Sequence, residues 1–240
     1  MQDEKTYVLE QFQRSQNDDE LIKNLEISKE LDFSFSDFSE VMGESISAQE
    51  VNFRASSWVR ASLVDCEFDE ANFENCNLDE AGMGDCFLNG ATFRQAQMRY
   101  TEIRISSCIN TCFDEVDFSN GVLDGSTASG ASFRGAILVE NDATGIDADD
   151  ADFTDTNLQK AILMDGSFID SNFTNAKLME VNAENADFSG ADFSNAVLSN
   201  GNFEQANFTN AILDGVEWKG ANITGATFDE GVLEEIKDKL

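Results

Sequence analysis

Carboxylates are the most abundant side chains in this sequence that could do chemistry. The chain of 240 residues has 47 Asp and Glu against 15 Lys and Arg, which gives a formal net charge of −32 at pH 7. It has no histidine, so the usual general base and the commonest neutral metal ligand are missing. The negative charge argues against DNA, RNA and anionic membranes as direct ligands, because all three repel a polyanion.

The densest acidic run invites comparison with calcium sites. Its members are Asp142, Asp147, Asp149, Asp150, Asp152 and Asp155. The run lacks the central glycine of an EF-hand loop, and Leu158 stands where that loop needs glutamate. It also lacks the Gly-Gly-x-Gly-x-Asp pattern of calcium β-rolls. The sequence therefore predicts no metal site, no cofactor and no catalytic residue, and we expect that the protein is not an enzyme.

A five-residue repeat must position these side chains. From residue 31 to residue 235 the chain falls into five-residue blocks without insertion or deletion. Each block has a large apolar residue at its third position and a small residue two positions earlier. Asp or Asn often lies between them, as in Ala151-Asp152-Phe153. A period of five fits neither a strand nor a helix. The chain must therefore turn a corner every five residues, with two residues of each block facing inward and three facing solvent.

This pattern resembles the pentapeptide-repeat family over residues 31–235. The resemblance implies an all-β fold, a right-handed quadrilateral β-helix (pentapeptide-repeat solenoid) with twenty residues per coil, about ten coils and short helical caps. Every twentieth residue should then stack on one face, and a phenylalanine series does recur at that spacing. Its members are Phe33, Phe53, Phe73, Phe93, Phe113, Phe133, Phe153, Phe173 and Phe193, followed by Leu213 and Leu233. At ~4.8 Å per coil the rod should be roughly 48 Å long.

Both ends of the chain depart from the repeat. Residues 1–30 are predicted to form a helical N-terminal cap, in which one helix face carries Tyr7, Val8 and Phe12. A second helix, beginning after Asp18-Asp19, is predicted to carry Leu21, Ile22 and Leu25. A solenoid needs such caps because its ends are otherwise open.

The β-helix is predicted over 31–235, with a short C-terminal helix that begins near 232 and ends over 236–240. Leu233, Ile236 and Leu240 lie on one side of this helix, as a second cap or as a homodimer contact. The resemblance favours the dimer, since several family members dimerise through their C-terminal ends. Within the β-helix, small residues occupy large positions over 141–150, which predicts a thinner core, a bend or a local bulge.

The five cysteines fit a packing role. Cys66, Cys76 and Cys86 occupy small inward positions, Cys108 occupies a large one, and Cys112 should face outward. Cys66 and Cys86 are one coil apart, which leaves a disulfide open, although free buried thiols that act as small hydrophobes are favoured. An odd number of cysteines and a start without signal-peptide character indicate a reducing cytoplasm.

The register also predicts which face of the solenoid each charge decorates. Two adjacent faces, centred on residues 43 and 48 and their repeats every twenty residues, carry twenty acids and one base, Arg104. We call these two faces the acidic side. The other two faces, the mixed side, carry eighteen acids and eight bases. The candidate partner-binding residues are Asp65, Glu67, Asp69, Glu70, Asp85, Asp124, Asp142, Asp147, Asp149, Asp150, Asp165, Asp170 and Asp187.

The pentapeptide-repeat family includes proteins that mimic DNA and bind type II topoisomerases, protecting DNA gyrase or topoisomerase IV from quinolones or related poisons. The resemblance and the acidic side together predict an acidic DNA mimic that binds the basic DNA-binding groove of such an enzyme. Because the frame has no insertion, the chain resembles the members without projecting loops.

The alternative is a non-enzymatic protein-interaction scaffold with an unrelated partner. Outward apolar residues favour this hypothesis, because they are predicted to cluster around one edge where a partner could dock. They are Val64, Val122, Ile137, Val139, Ile162, Met164 and Val197.

Overall fold

The chain returns to the same position of a parallel ladder every twenty residues. In the computed structural model, which describes residues 2–240, Asp32 pairs with Asn52 and Asn52 pairs with Asn72. Such bridges form four columns, which pass through residues 32, 37, 42 and 47 and their repeats. The twenty-residue repeat of the predicted β-helix is confirmed. The right-handed sense, the quadrilateral cross-section and the count of ten coils stay predictions.

One column contains the regular strands. A parallel sheet has the order β1 to β5, formed by β1 (Ile22–Lys23), β2 (Met42–Glu44), β3 (Ser62–Val64), β4 (Gly82–Gly84) and β5 (Glu102–Arg104). Elsewhere each coil contributes single bridges between turns.

The core consists of stacked rings along the solenoid axis. The first and third residues of each block are buried throughout most of the repeat, as their sizes predict. From Phe33 to Phe193, neighbouring rings of the predicted ladder lie 4.7–5.9 Å apart between centroids, with planes within 21° of each other. A second ladder, on the adjacent face centred on residue 48 and its repeats, comprises Phe168, Phe188, Phe208 and Phe228. Offset stacking adds to the energy of burying these rings.

Tight turns form the corners between faces. In a representative block, the amide of Ala61 donates to the Trp58 carbonyl at 3.0 Å, and Arg60 between them has a φ of 57°. A positive φ at the third residue of a turn is the mark of type II geometry. The recurrent Asp or Asn supports the turn: Asp152 Oδ1, for example, accepts a hydrogen bond from the Thr154 amide at 3.0 Å. Many acidic side chains therefore serve to stabilise the turns of the repeat.

One corner is held open by side chains from the following coil. Ser106 Oγ accepts the amide of Cys86 at 3.0 Å and donates to the Met83 carbonyl at 3.1 Å, so it lies between the two groups that would otherwise bond to each other. Ser126 does the same for the turn from Ile103 to Ser106. We call the corner formed by residues 43–46, 63–66, 83–86 and 103–106 the open corner.

At residues 123–126 the same corner is an ordinary hydrogen-bonded turn, because the following coil inserts no hydroxyl there. In the next coil the inserting position is Ile146, which has no hydroxyl to accept an amide. The Ser126 amide accordingly bonds to the Leu123 carbonyl at 3.1 Å, as in an ordinary turn.

The N-terminal segment begins with a helix and then joins the solenoid. Helix α1 spans Gln2–Asp18 and buries Val8 and Phe12 against the first coil; the Phe12 ring lies 4.7 Å from that of Phe38. Tyr7 was predicted on the same face, but it is 55% exposed because it lies on the outer side of the helix.

The prediction of a second N-terminal helix is wrong. Ile22 lies in β1 and pairs with Gly43, Leu25 is buried, and Leu21 is exposed. The five-residue frame of the repeat does not reveal this coil, because one extra residue lies between it and residue 32. Glu26 pairs with Ser47, twenty-one residues later, whereas Asp32 pairs twenty residues later.

The C-terminal end carries helix α2 (Val232–Ile236) and a 3-10 turn at Lys237–Lys239. Ile236 is buried, but Leu233 is 38% exposed and Leu240 is 43% exposed. Leu233 therefore does not extend the phenylalanine ladder, because the chain leaves the coil for α2 before reaching it.

The predicted local bulge over 141–150 is also wrong. Asp142 pairs with Ile162 and Asp147 pairs with Ser167, so the twenty-residue register continues through the small residues. The buried Asn141 side chain is satisfied because its Nδ2 donates to the Phe118 carbonyl at 3.2 Å.

Candidate partner-binding site

The structure divides the candidate carboxylates of the acidic side into two groups. Eight are exposed, namely Asp65, Glu67, Glu70, Asp85, Asp147, Asp150, Asp165 and Asp170. Five are half-buried, namely Asp69, Asp124, Asp142, Asp149 and Asp187. A partner can reach the first group without disturbing the coil.

The half-buried carboxylates hold the solenoid together. Asp187 Oδ1 accepts the Ser189 amide at 2.9 Å within its own turn, and Asp142 supports its turn in the same way. Asp149 Oδ1 accepts the Ile169 amide at 2.9 Å from the next coil. Among the candidates, acids at the fourth position of a block are all half-buried and acids at the fifth position are all exposed, whereas the second position carries both kinds.

Cations of the acidic side are concentrated at its N-terminal end. The face centred on residue 48 was predicted to carry no base, but the additional first coil places Lys29 beside Glu50 at 2.9 Å. Lys23 similarly pairs with Glu44 at 2.7 Å on the neighbouring face. Arg104 bonds to Glu102 at 3.0 Å and to Asp124 at 3.3 Å.

The distal part of the acidic side keeps a charge of one sign. Over residues 142–230, the outward positions of its two faces carry eleven acids and no Lys or Arg. The mixed side differs, because six of its eight bases pair with acids of neighbouring coils. Arg54 lies 3.5 Å from Glu74, and Arg94 lies 3.1 Å from Glu115. The distal acidic side therefore has a larger net negative charge than the N-terminal part of the acidic side.

The cysteines are buried thiols. All five, which lie within the described residues, are free, and only Cys112 is partly exposed. Burial raises the pKa of the Cys108 thiol to about 12, so this thiol stays protonated at neutral pH. The adjacent Cys66 thiol and burial raise the pKa of Cys86, whose Sγ donates to the Gly84 carbonyl at 3.3 Å.

No cluster of three or more Cys, Asp or Glu among the described residues is arranged to hold a metal ion. Within residues 2–240, no helix has the length and apolar character needed to cross a membrane.

The outward apolar residues do not form the single patch that the sequence predicts. Val64 and Ile137 are exposed, whereas the other five are half-buried. Ile137 and Val197 share one column, but Asn157 and Lys177 separate them. The exposed apolar side chains that the sequence interpretation missed include Phe87 at 45% and Ile105 at 69%, because neither occupies a large position of the repeat.

Two sequence-family profiles match the chain. The profile described as "Pentapeptide repeat region" matches residues 161–237. The profile described as "Pentapeptide repeats (8 copies)" matches residues 49–83, 111–147 and 129–168. No curated protein matches the chain.

Several solved structures are similar to this one. HetL, a pentapeptide repeat protein involved in heterocyst differentiation regulation from the cyanobacterium Nostoc sp. strain PCC 7120, is 17% identical, with a TM-score of 0.44. That match covers 87% of this chain and 91% of HetL. A trypsin-treated form of QnrB1, a plasmid-mediated fluoroquinolone resistance protein, is 18% identical, with a TM-score of 0.48, and the match covers 83% and 96% of the two chains.

A pentapeptide repeat protein from the Arabidopsis thaliana thylakoid lumen is 22% identical, with a TM-score of 0.39. The match covers 53% of this chain and 78% of that one. The two profiles together with the uninterrupted five-residue frame establish that this chain belongs to the pentapeptide-repeat proteins.

Proposed function

We propose that this protein is an acidic DNA mimic that binds the DNA-binding groove of a type II topoisomerase, DNA gyrase or topoisomerase IV. In this role it would modulate the enzyme or protect it from quinolone-like poisons. The observation that carries the proposal is the distal acidic side, where exposed carboxylates recur on a fixed lattice without basic residues between them. The proposed contact residues are the eight exposed candidates, with the half-buried ones in a supporting role.

The charge density of the acidic side suits a groove built for duplex DNA. Twenty acids over about ten coils at ~4.8 Å per coil correspond to one carboxylate per ~2.4 Å of axis. B-DNA carries one charge per ~1.7 Å. The solenoid is sparser than DNA, but hydrogen bonds within and between coils fix its backbone.

A supercoiling assay with purified DNA gyrase tests this function. Increasing amounts of the protein should inhibit supercoiling, or should reduce the cleaved DNA that a quinolone traps, and added salt should weaken either effect. If the protein shows neither effect on gyrase or on topoisomerase IV, even at concentrations well above that of the enzyme, the proposal is contradicted. The unrelated-partner scaffold would then be the better account.

We also propose that the C-terminal end forms a homodimer contact. The inward residues of the last coil, including Leu213, Ile223 and Phe228, are only partly buried. Exposed Leu233 and Leu240 line a cavity of 530 Å³ together with Ile223. At the N-terminal end, in contrast, α1 covers the first coil and buries its apolar residues. A second copy could complete the C-terminal core in the same way.

A further inference from the structure

The open corner carries a groove that combines apolar and acidic side chains. Phe87 and Ile105 line a cavity of 400 Å³, with Cys86 and Ser106 at its base and Asp65 and Asp85 on its wall. An adjoining cavity of 290 Å³ shares Asp65 and adds Glu26 and Glu67. We call these two cavities together the corner groove.

The two apolar side chains of the corner groove are unusual for their positions. Ile105 has a φ of 53°, a left-handed conformation that β-branched residues rarely adopt, and it is 69% exposed. Phe87 occupies the second position of its block, where Asp or Asn is common, and pairs with Glu67 and Ser107 in the ladder. Exposed apolar groups in a concave site favour contact with another molecule.

The charge of the corner groove selects among the possible occupants. The described residues that line its two cavities include four acids and no Lys or Arg. The neighbouring Arg104 is engaged by Glu102 and Asp124, so it does not offset the charge of the groove. These four acids repel nucleic acid, and they repel the acidic side of a second copy of this chain in the same way.

We propose that the corner groove binds an extended basic segment of a protein partner. Lys or Arg side chains of that segment would meet Asp65, Asp85 and Glu67, and a large apolar side chain would pack between Phe87 and Ile105. Side chains on one face of an extended peptide repeat every ~6.6 Å, while coils repeat every ~4.8 Å, so one basic side chain can contact acids of two coils. Asp65, Glu67 and Asp85 also belong to the contact residues proposed for the topoisomerase, but the two proposals fail separately, because the groove lies outside the distal acidic side and its test uses a peptide.

Fluorescence anisotropy with labelled synthetic peptides tests the inference. The probe alternates lysine with leucine and phenylalanine. One control peptide has serine in place of the apolar residues, and the other has glutamate in place of lysine. The probe should bind at least about tenfold more tightly than either control at physiological salt. Equal binding of the lysine–serine peptide would overturn the proposal, because attraction to a polyanion would then suffice.

Matched variants locate the binding site. Phe87→Ser combined with Ile105→Asn should weaken probe binding by about tenfold, as expected when apolar anchors are lost. Tyr100→Asn is the control, because Tyr100 is also exposed, at 59%, with a φ of 59° at another corner. Asparagine tolerates the left-handed conformation, so the variants should melt no lower than the parent. Unchanged affinity in the double variant would overturn the proposal.

Charge variants and a mass measurement complete the test. Asp65→Asn with Asp85→Asn should weaken probe binding, whereas Asp150→Asn with Asp170→Asn, on the distal acidic side, should not. An equal loss from both pairs would contradict a local site. If light scattering shows a dimer that Ile105→Asn dissociates, the groove is occupied by a second copy and the inference fails.

Discussion

At the scale of single residues, two tryptophans differ in how their indole nitrogens are satisfied. Trp58 Nε1 donates to Ser56 Oγ at 2.8 Å. Trp218 Nε1 is buried without a hydrogen-bond partner, and Val216 occupies the position that corresponds to Ser56. An unpaired buried donor costs about 1–3 kcal/mol, so this position holds a defect that one hydroxyl can correct.

We expect Val216→Thr to raise the thermal midpoint, because its hydroxyl can accept the Trp218 N–H while one methyl remains packed. The free energy of unfolding should increase by about 1 kcal/mol. Val216→Ala removes packing without adding an acceptor and should lower the midpoint. Ser56→Ala should cost about 1–3 kcal/mol by leaving Trp58 unpaired. A threonine variant that melts no higher than the alanine variant would contradict this explanation.

Phe35 shows a backbone cost at an exposed residue. It is 76% exposed and has a φ of 60°, in the region that favours glycine and asparagine. Phe35→Asn should therefore raise the free energy of unfolding, by about 1 kcal/mol, in urea denaturation. Phe35→Val should lower it, because a β-branched residue fits this conformation less well. If the Asn variant is instead less stable than the parent, the Phe35 ring makes a stabilising contact.

At the scale of structural elements, the phenylalanine ladder is the main source of core packing. The Phe113 ring lies 5.2 Å from that of Phe93 and 4.9 Å from that of Phe133. Phe113→Ala should open a cavity and cost about 3–5 kcal/mol of unfolding free energy. Phe113→Leu, which keeps most of the volume, should cost no more than about 1.5 kcal/mol. An alanine variant that melts like the parent would mean that this ring is not a core element.

The repeat could be predicted from the sequence because each inward position has the same size requirement in every coil. The first coil could not, since the extra residue between Glu26 and Asp32 breaks the frame that reveals the others. The open corner was equally hidden. Whether a turn opens depends on a residue one coil later, as the contrast between Ser126 and Ile146 shows.

The candidate site was predictable only in part. Counting charges by face identified the acidic side, because the register alone determines which face a residue occupies. It did not separate Asp149, which bonds to the next coil, from the exposed Asp150 beside it. It also missed Ile105, since the repeat gives no reason for an apolar residue at a left-handed corner.

At the scale of the whole molecule, the two ends of the solenoid are finished differently. If the C-terminal end forms a dimer contact, Leu233→Asp with Leu240→Asp should convert a dimer to a monomer and leave the circular dichroism spectrum unchanged. Ile236 is unsuitable for this test because it is buried against its own chain and its loss would disturb the cap. Tyr7→Asp, exposed at the other end, is the control and should leave the mass unchanged. If light scattering shows that the parent protein is a monomer, the proposed dimer contact is contradicted.

The most direct test of the central claim compares two variant sets in the gyrase supercoiling assay. The first set changes Asp147, Asp150, Asp165 and Asp170 to Asn on the distal acidic side. The second changes Asp155 and Asp214 to Asn, and Glu180 and Glu217 to Gln, on the mixed side. All eight residues are exposed, and both sets remove the same charge. We expect the first set to weaken inhibition or protection by about tenfold or more, and the second to leave it nearly unchanged. Equal loss from both sets, or no loss from either, would contradict a function carried by the acidic side.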